Sequence, residues 1–239
     1  MIKILMMMVA VLLAACATDP VELTKSAEDD YNKALLYMEN ENYPQAAMFL
    51  EKFSAKYPYS QYATDAELLR LKSAYLDKQY VLSETLGLRF IDAHPEHKDR
   101  VYVQYIVAMS YYKQSHGAEL DQQFSHRSRD AFLELNRRFP NNPYTSDIKK
   151  YLRILTNRVA EHELIVGKFY YEKELYIAAL NRLLVIKNAY ADANIIDESL
   201  YYLAASYAAL DQRELANETI AILEKGYPQS PWLKKAENL

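Results

Sequence analysis

Apolar and small residues recur along this chain with the spacing of paired helices, not with the alternation of strands. Ala34, Tyr37, Tyr43, Ala46, Leu50 and Phe53 precede Pro58 at offsets that Gly167, Tyr170, Tyr176, Ala179, Leu183 and Ile186 repeat before Ala191. Ala204, Tyr207, Ala216, Ile220 and Leu223 keep the same offsets before Pro228. Leu71, Ala74, Tyr80, Ser83, Gly87 and Phe90 follow them more loosely before Pro95. Small residues at such positions let two antiparallel helices approach closely, and the aromatics fill the groove beside them.

Each block ends on a helix stop. Tyr57-Pro58-Tyr59-Ser60-Gln61-Tyr62, Phe139-Pro140-Asn141-Asn142-Pro143-Tyr144 and Tyr227-Pro228-Gln229-Ser230-Pro231-Trp232 share one pattern. The Pro ends one helix, Ser60, Asn142 or Ser230 is expected to cap the next, and Pro143 and Pro231 are expected in its first turn. Ser26 with Asp29 predicts a capping box opening the first helix near Ala27. The stops at Pro58, Pro95, Pro140, Ala191 and Pro228 lie 37, 45, 51 and 37 residues apart. The second interval holds an insertion at Ser115 to Ser125, expected as a surface loop after Ala108 and Tyr111 and before Ser128, Phe132 and Leu135. The third holds an unbroken stretch from Asn142 to Lys173, expected as one long helix or two nearly collinear ones.

This organisation resembles the tetratricopeptide repeat, a helix–turn–helix unit of about 34 residues. The expected fold is all-α, a tetratricopeptide-repeat solenoid of about five helix–turn–helix repeats. About three N-terminal repeats would occupy 27–140, and about two C-terminal repeats 141–239 after the long connecting helix.

The first residues follow a different rule. Lys3 precedes an uncharged apolar run from Ile4 to Leu13, about half the ~20 residues that span a bilayer. It ends in Leu13-Ala14-Ala15-Cys16, which resembles the lipobox of bacterial lipoproteins. That resemblance implies a signal peptide over 1–15, cleavage before the acylated Cys16, and a lipidated tether over 16–26. Cys16 is the single Cys of the chain, so no internal disulfide is available. Several acyl chains would anchor it stably. Ala17 in place of Asp favours, by the same resemblance, the outer membrane.

Composition narrows the remaining chemistry. Of 239 residues, 51% are hydrophobic and 25% charged, with a net charge of −4 and no basic stripe, which argues against a nucleic-acid partner. Only 4 Gly are present, too few for a phosphate-binding glycine loop or a dinucleotide fingerprint. His94 and His97 flank Pro95 as turn residues, and His162 lacks a second His four residues away, so no metal or other cofactor is expected. The 22 Tyr fall mostly on packing positions. No catalytic residue is expected.

One segment is more specific. Asn157-Arg158-Val159-Ala160-Glu161-His162-Glu163-Leu164, then Tyr170-Tyr171, then Tyr176-Ile177-Ala178-Ala179-Leu180-Asn181-Arg182 carry an NR-x-AE-x-EL run, paired Tyr and a Y-x-AA-x-NR helix. With the 139–144 stop, Asp147 and the lipobox, they resemble the BamD (ComL) lipoproteins of outer-membrane β-barrel assembly, over essentially all of Cys16 to Trp232. The chain departs at Leu175, where that family commonly has Gly. The resemblance implies a non-enzymatic scaffold facing the periplasm. Its C-terminal repeats would dock a BamA-like barrel-inserting subunit, its N-terminal repeats would receive unfolded outer-membrane proteins, and accessory assembly lipoproteins would join them. Arg182 would contact an acidic residue of the barrel subunit, with Asn181, Arg158 and Glu161 also partner-binding and Arg70 uninvolved. The rival readings, a pilus-assembly pilotin or a Tol-system coordinator, fit less well: the repeat spacing is uneven and no heptads precede the repeats.

Overall fold

The computed structural model describes residues 26–239. Among them are eleven helices and no strand. These are α1 (Ala27–Glu39), α2 (Tyr43–Lys56), α3 (Ala63–Leu76), α4 (Tyr80–Ala93), α5 (Arg100–Gln114) and α6 (Gln123–Arg138), then α7 (Thr145–Glu172), α8 (Tyr176–Ala189), α9 (Ile196–Ala209), α10 (Arg213–Gly226) and α11 (Pro231–Ala236). Ten helices in succession and a short last one make five tetratricopeptide-type helix–turn–helix repeats along the sequence. The expected signal peptide, Cys16 and most of the tether lie outside the described residues.

All five stops end helices alike. α2, α4, α6, α8 and α10 finish two residues before Pro58, Pro95, Pro140, Ala191 and Pro228. The C-cap is Tyr57, His94, Phe139, Tyr190 or Tyr227, whose N–H donates to the carbonyl four residues back. Ala191 works as well as Pro because the aromatic C-cap, at φ −136° and ψ 37° for Tyr190, has already left helical geometry. Four of the turns within repeats also share one design. Glu41, Lys78, Glu174 and Asp211 adopt positive φ of 55–62°. The next residue's N–H reaches back to Tyr37, Ala74, Tyr170 or Tyr207, each at 2.9 Å, which is a Schellman closure. The strained position is therefore Glu174, and Leu175 at φ −86° needs no glycine.

Caps followed the expectation in part. Ser26 and Asp29 form the capping box, with both reciprocal bonds at 3.1 Å. Ser230 caps α11, with Pro231 first in the helix. Ser60 and Asn142 are not N-caps, and Pro143 is not in a first turn: α3 and α7 begin only at Ala63 and Thr145. Each side chain instead accepts the N–H two residues on, from Tyr62 at 3.0 Å and Tyr144 at 2.8 Å. These short polar side chains close a local turn that delays the helix.

The chain forms two compact units, one ending at Ser73 and one running from Ala74 to Leu239. In the first, Ala34, Ala46, Leu50, Phe53 and Ala66 form the core beneath Tyr31, Tyr37 and Tyr62. Buried Asp30 is held by Lys56 Nζ at 3.1 Å and the Tyr57 hydroxyl at 3.0 Å. In the second, each helix from α4 to α10 packs on its sequence neighbour. The 28-residue α7 serves two cores there. Ile148 and Leu155 join Ala108, Phe132 and Leu135, while Val159, Ala160 and Leu164 join Ala179, Leu183, Leu200 and Leu203. The expected division at 140/141 is the α6–α7 turn, inside this second unit. The repeat positions Gly167, Ala179, Ala204 and Ala216 are all buried.

Candidate partner-docking site

The NR-x-AE-x-EL run occupies the middle of α7, and most of its side chains point inward to neighbouring elements. Asn157 Oδ1 accepts the N–H of Asn194 at 2.8 Å, tying down the α8–α9 turn. Val159, Ala160 and Leu164 enter the core. Arg158 donates to Ser115 Oγ and lies over the Tyr112 ring. His162 Nδ1 meets the Ala118 carbonyl at 2.7 Å; a carbonyl only accepts, so Nδ1 carries the proton. Glu161 is exposed.

Arg158 and His162 together clamp the insertion, which is the α5–α6 turn over 115–122. Gln122, buried, adds bonds from Nε2 to the carbonyls of Gly117 and Leu120 at 2.7 and 2.8 Å. The loop is thus seated on α7 through buried Ala118, with Leu120 left exposed. Replacing His162 by Ala removes one of its two outside anchors. Amide exchange over 115–122 should then rise about five- to tenfold, the value of one hydrogen bond. Unchanged exchange would show that Arg158 and Gln122 hold the loop without His162.

α8 presents the other face. Ala179, Leu180, Leu183 and Ile186 are buried, which turns Ile177, Asn181 and Val185 outward at helical spacing. Ile177 is 67% and Leu175 54% exposed, large values for aliphatic side chains. A shallow groove of about 450 Å³ lies among Leu175, Ile177, Ala178, Asn181 and Leu210. A second, sharing Ala178 and Asn181, extends to Tyr170, Arg182 and Val185. The site is a largely apolar strip carrying one amide and one guanidinium, with Glu174 also lining the first groove.

Arg182 is not free. Its Nη1 donates to Glu163 Oε2 at 3.2 Å, with the two side chains 44% and 12% exposed. Glu163 stands on the core-facing side of α7, spaced from Ala160 and Gly167 as core positions are. Burial holds the nearby Tyr190 phenol above its usual range, Arg129 draws it down, and Glu163 pushes it up again. The structure therefore brings Arg182 and Asn181 onto one groove and gives Arg158 to the insertion loop. Glu163, His162 and the apolar strip are additions that the sequence reading missed. The register of residue 163 carried the clue, because a carboxylate on a buried face must have an internal partner. Among the described residues, no three His, Cys, Asp or Glu side chains converge as a metal site. No described helix is long and apolar enough to cross a membrane.

Known proteins resemble this chain over most of its length. The chain is 29% identical over 209 residues to the outer membrane protein assembly factor BamD of Rickettsia prowazekii, covering 87% of this chain and 83% of that one. It is 28% identical over 240 residues to the protein of that name in Neisseria meningitidis serogroup B, covering 93% and 90%. For the Pasteurella multocida protein of that name the identity is 24%, covering 89% and 85%. Residues 24–223 match the YfiO family, described as outer membrane lipoprotein, and with most of its length matched the chain belongs to that family.

Proposed function

We propose that this protein is a non-enzymatic scaffold of outer-membrane β-barrel assembly, docking a barrel-inserting subunit through the exposed face of α8. The observation that carries the reading is the half-exposed Arg182 beside Asn181 on a largely apolar strip. An apolar strip supplies area, and one guanidinium supplies orientation by gripping a carboxylate with two parallel hydrogen bonds. The names of the relatives support the assembly role. In this reading the N-terminal repeats receive unfolded outer-membrane proteins, and accessory lipoproteins complete the complex. The acylated Cys16 holds the scaffold on the periplasmic side of the outer membrane.

One experiment tests both ends of the proposal. The full chain, tagged at its C-terminus, is purified from detergent-solubilised outer membranes, and its mature N-terminus and companions are identified by mass spectrometry. The expected result is an N-terminus at acylated Cys16 and a barrel-inserting subunit in stoichiometric amount. An unmodified Cys16 removes the anchor, and a pilus secretin or Tol component in place of the barrel subunit removes the assembly role.

A further inference from the structure

We propose that Glu163 is a positioning residue that holds the Arg182 guanidinium in its docking orientation before any partner arrives. The inference rests on the docking reading of Arg182 given above. Arg182 is mounted at two points on α7. At its root, the bare Gly167 lets α8 come so close that a Cβ there would lie 3.5 Å from Arg182 Cβ. At its tip, one turn earlier on α7, Glu163 Oε2 holds Nη1 at 3.2 Å. Gly167 and Glu163 are four residues apart and share a helix face, so root and tip are fixed by one rigid element.

The division of exposure shows which way the guanidinium is presented. Glu163 is nearly enclosed at 12%, whereas Arg182 keeps 44% of its side chain in solvent, beside the groove shared with Asn181. A guanidinium has five N–H donors in a planar fork, and the bond to Glu163 engages Nη1. The outer edge remains for a second carboxylate. A lysine ammonium in this position would have to choose between the two carboxylates, which is a physical reason for Arg here. A long Arg side chain left loose would lose its rotamer freedom only on docking; pinned to Glu163, it has lost that freedom on folding.

The opposite effect is conceivable on electrostatic grounds, since Glu163 also competes with a partner carboxylate. The two effects differ in sign, and the experiment separates them. The full-length lipidated chain, its Glu163→Gln and Arg182→Gln variants and the double variant are titrated with purified barrel-inserting subunit, and each is melted alone. Gln keeps an acceptor oxygen for Arg182 but not its charge, so the helix pair stays intact and the thermal midpoint moves little. The expected result is that Glu163→Gln weakens docking about three- to tenfold, the range for one newly mobile side chain. In the Arg182→Gln background it should have no further effect, because Glu163 acts only through Arg182. Wild-type or tighter binding by Glu163→Gln overturns the proposal, as does a loss that persists when residue 182 is already Gln. If Arg182→Gln itself binds as the wild type does, the docking reading falls and this inference with it; if only Glu163→Gln is silent, the docking reading stands alone.

Discussion

Replacing Arg182 by Gln raises the Kd for the barrel-inserting subunit by roughly 30- to 150-fold, the loss expected when a docked charge pair worth about 2–3 kcal/mol is cut. The substitution is chosen with Glu163 in mind. Charge reversal to Glu, the obvious change from sequence alone, would set a second carboxylate against one that is 12% exposed and paired at 3.2 Å. It would thus destabilise the α7–α8 pair, and lost binding would no longer report on the interface. Gln removes the charge without adding a second carboxylate, so the isolated protein keeps its helix content and loses about 1–3 kcal/mol of stability, the cost of leaving a nearly enclosed polar group without its partner. The control is chosen on the same ground. Arg70 is committed to Glu51 at 3.1 Å with its side chain only 13% exposed, so altering it disturbs the first unit. Arg89, exposed on α4, is the better choice, and Arg89→Glu should dock as the wild type does. Undiminished binding by Arg182→Gln would remove Arg182 from the interface.

Phenylalanine in place of Ala179 lowers the unfolding midpoint of the second unit by roughly 2–12 °C. Ala179 has no exposed surface and sits in the core formed with Leu164, Leu183 and Leu203. The backbones of α7 and α8 are already close here: a Cβ on Gly167 would meet Leu183 Cγ and Cδ2 at 3.1 Å. A benzyl group therefore has no space to enter, and overpacking of a tight core costs about 1–3 kcal/mol. For a body of this size each kcal/mol shifts the midpoint by about 2–4 °C. Differential scanning calorimetry decides the matter, and an unmoved midpoint would place Ala179 outside the helix contact.

The repeat and its stops were legible because they are local. Helix ends two residues before Pro58 or Pro228 follow from one residue's backbone chemistry, and the small-residue offsets from helical periodicity. Ala191 was legible through the same offsets although it lacks the proline ring. Ser60 and Asn142 were misplaced because a side chain that caps a helix and one that closes a preceding turn use the same oxygen and the same reach. What remained hidden is tertiary. That Arg158 and His162 serve an insertion more than 40 positions earlier depends on where the folded loop lands. Glu163 was passed over as one charge in a charged run, when its register on the buried side of α7 marked it as internal. The apolar strip on α8 was hidden for a related reason: Leu175, Ile177 and Val185 lie off the repeat positions Ala179, Leu183 and Ile186, and only the packing shows that their face is uncovered.

The neighbour-on-neighbour packing from α4 to α10 has a kinetic consequence. Contacts that join residues about one repeat apart close short loops, so folding of this unit has little chain entropy to lose before contacts begin to form. Helical proteins of such low contact order fold in about microseconds to milliseconds. Nucleation is open to any helix pair, but α7 is the exception to equality among them, since two cores wait on one 28-residue helix. A glycine in its last two turns, Gly167, sets back helix formation by about 1 kcal/mol relative to alanine. The ordering of α7 is accordingly the step expected to limit the folding rate of this unit. Substitutions on its solvent face that raise helix propensity should accelerate folding and leave the unfolding rate nearly unchanged.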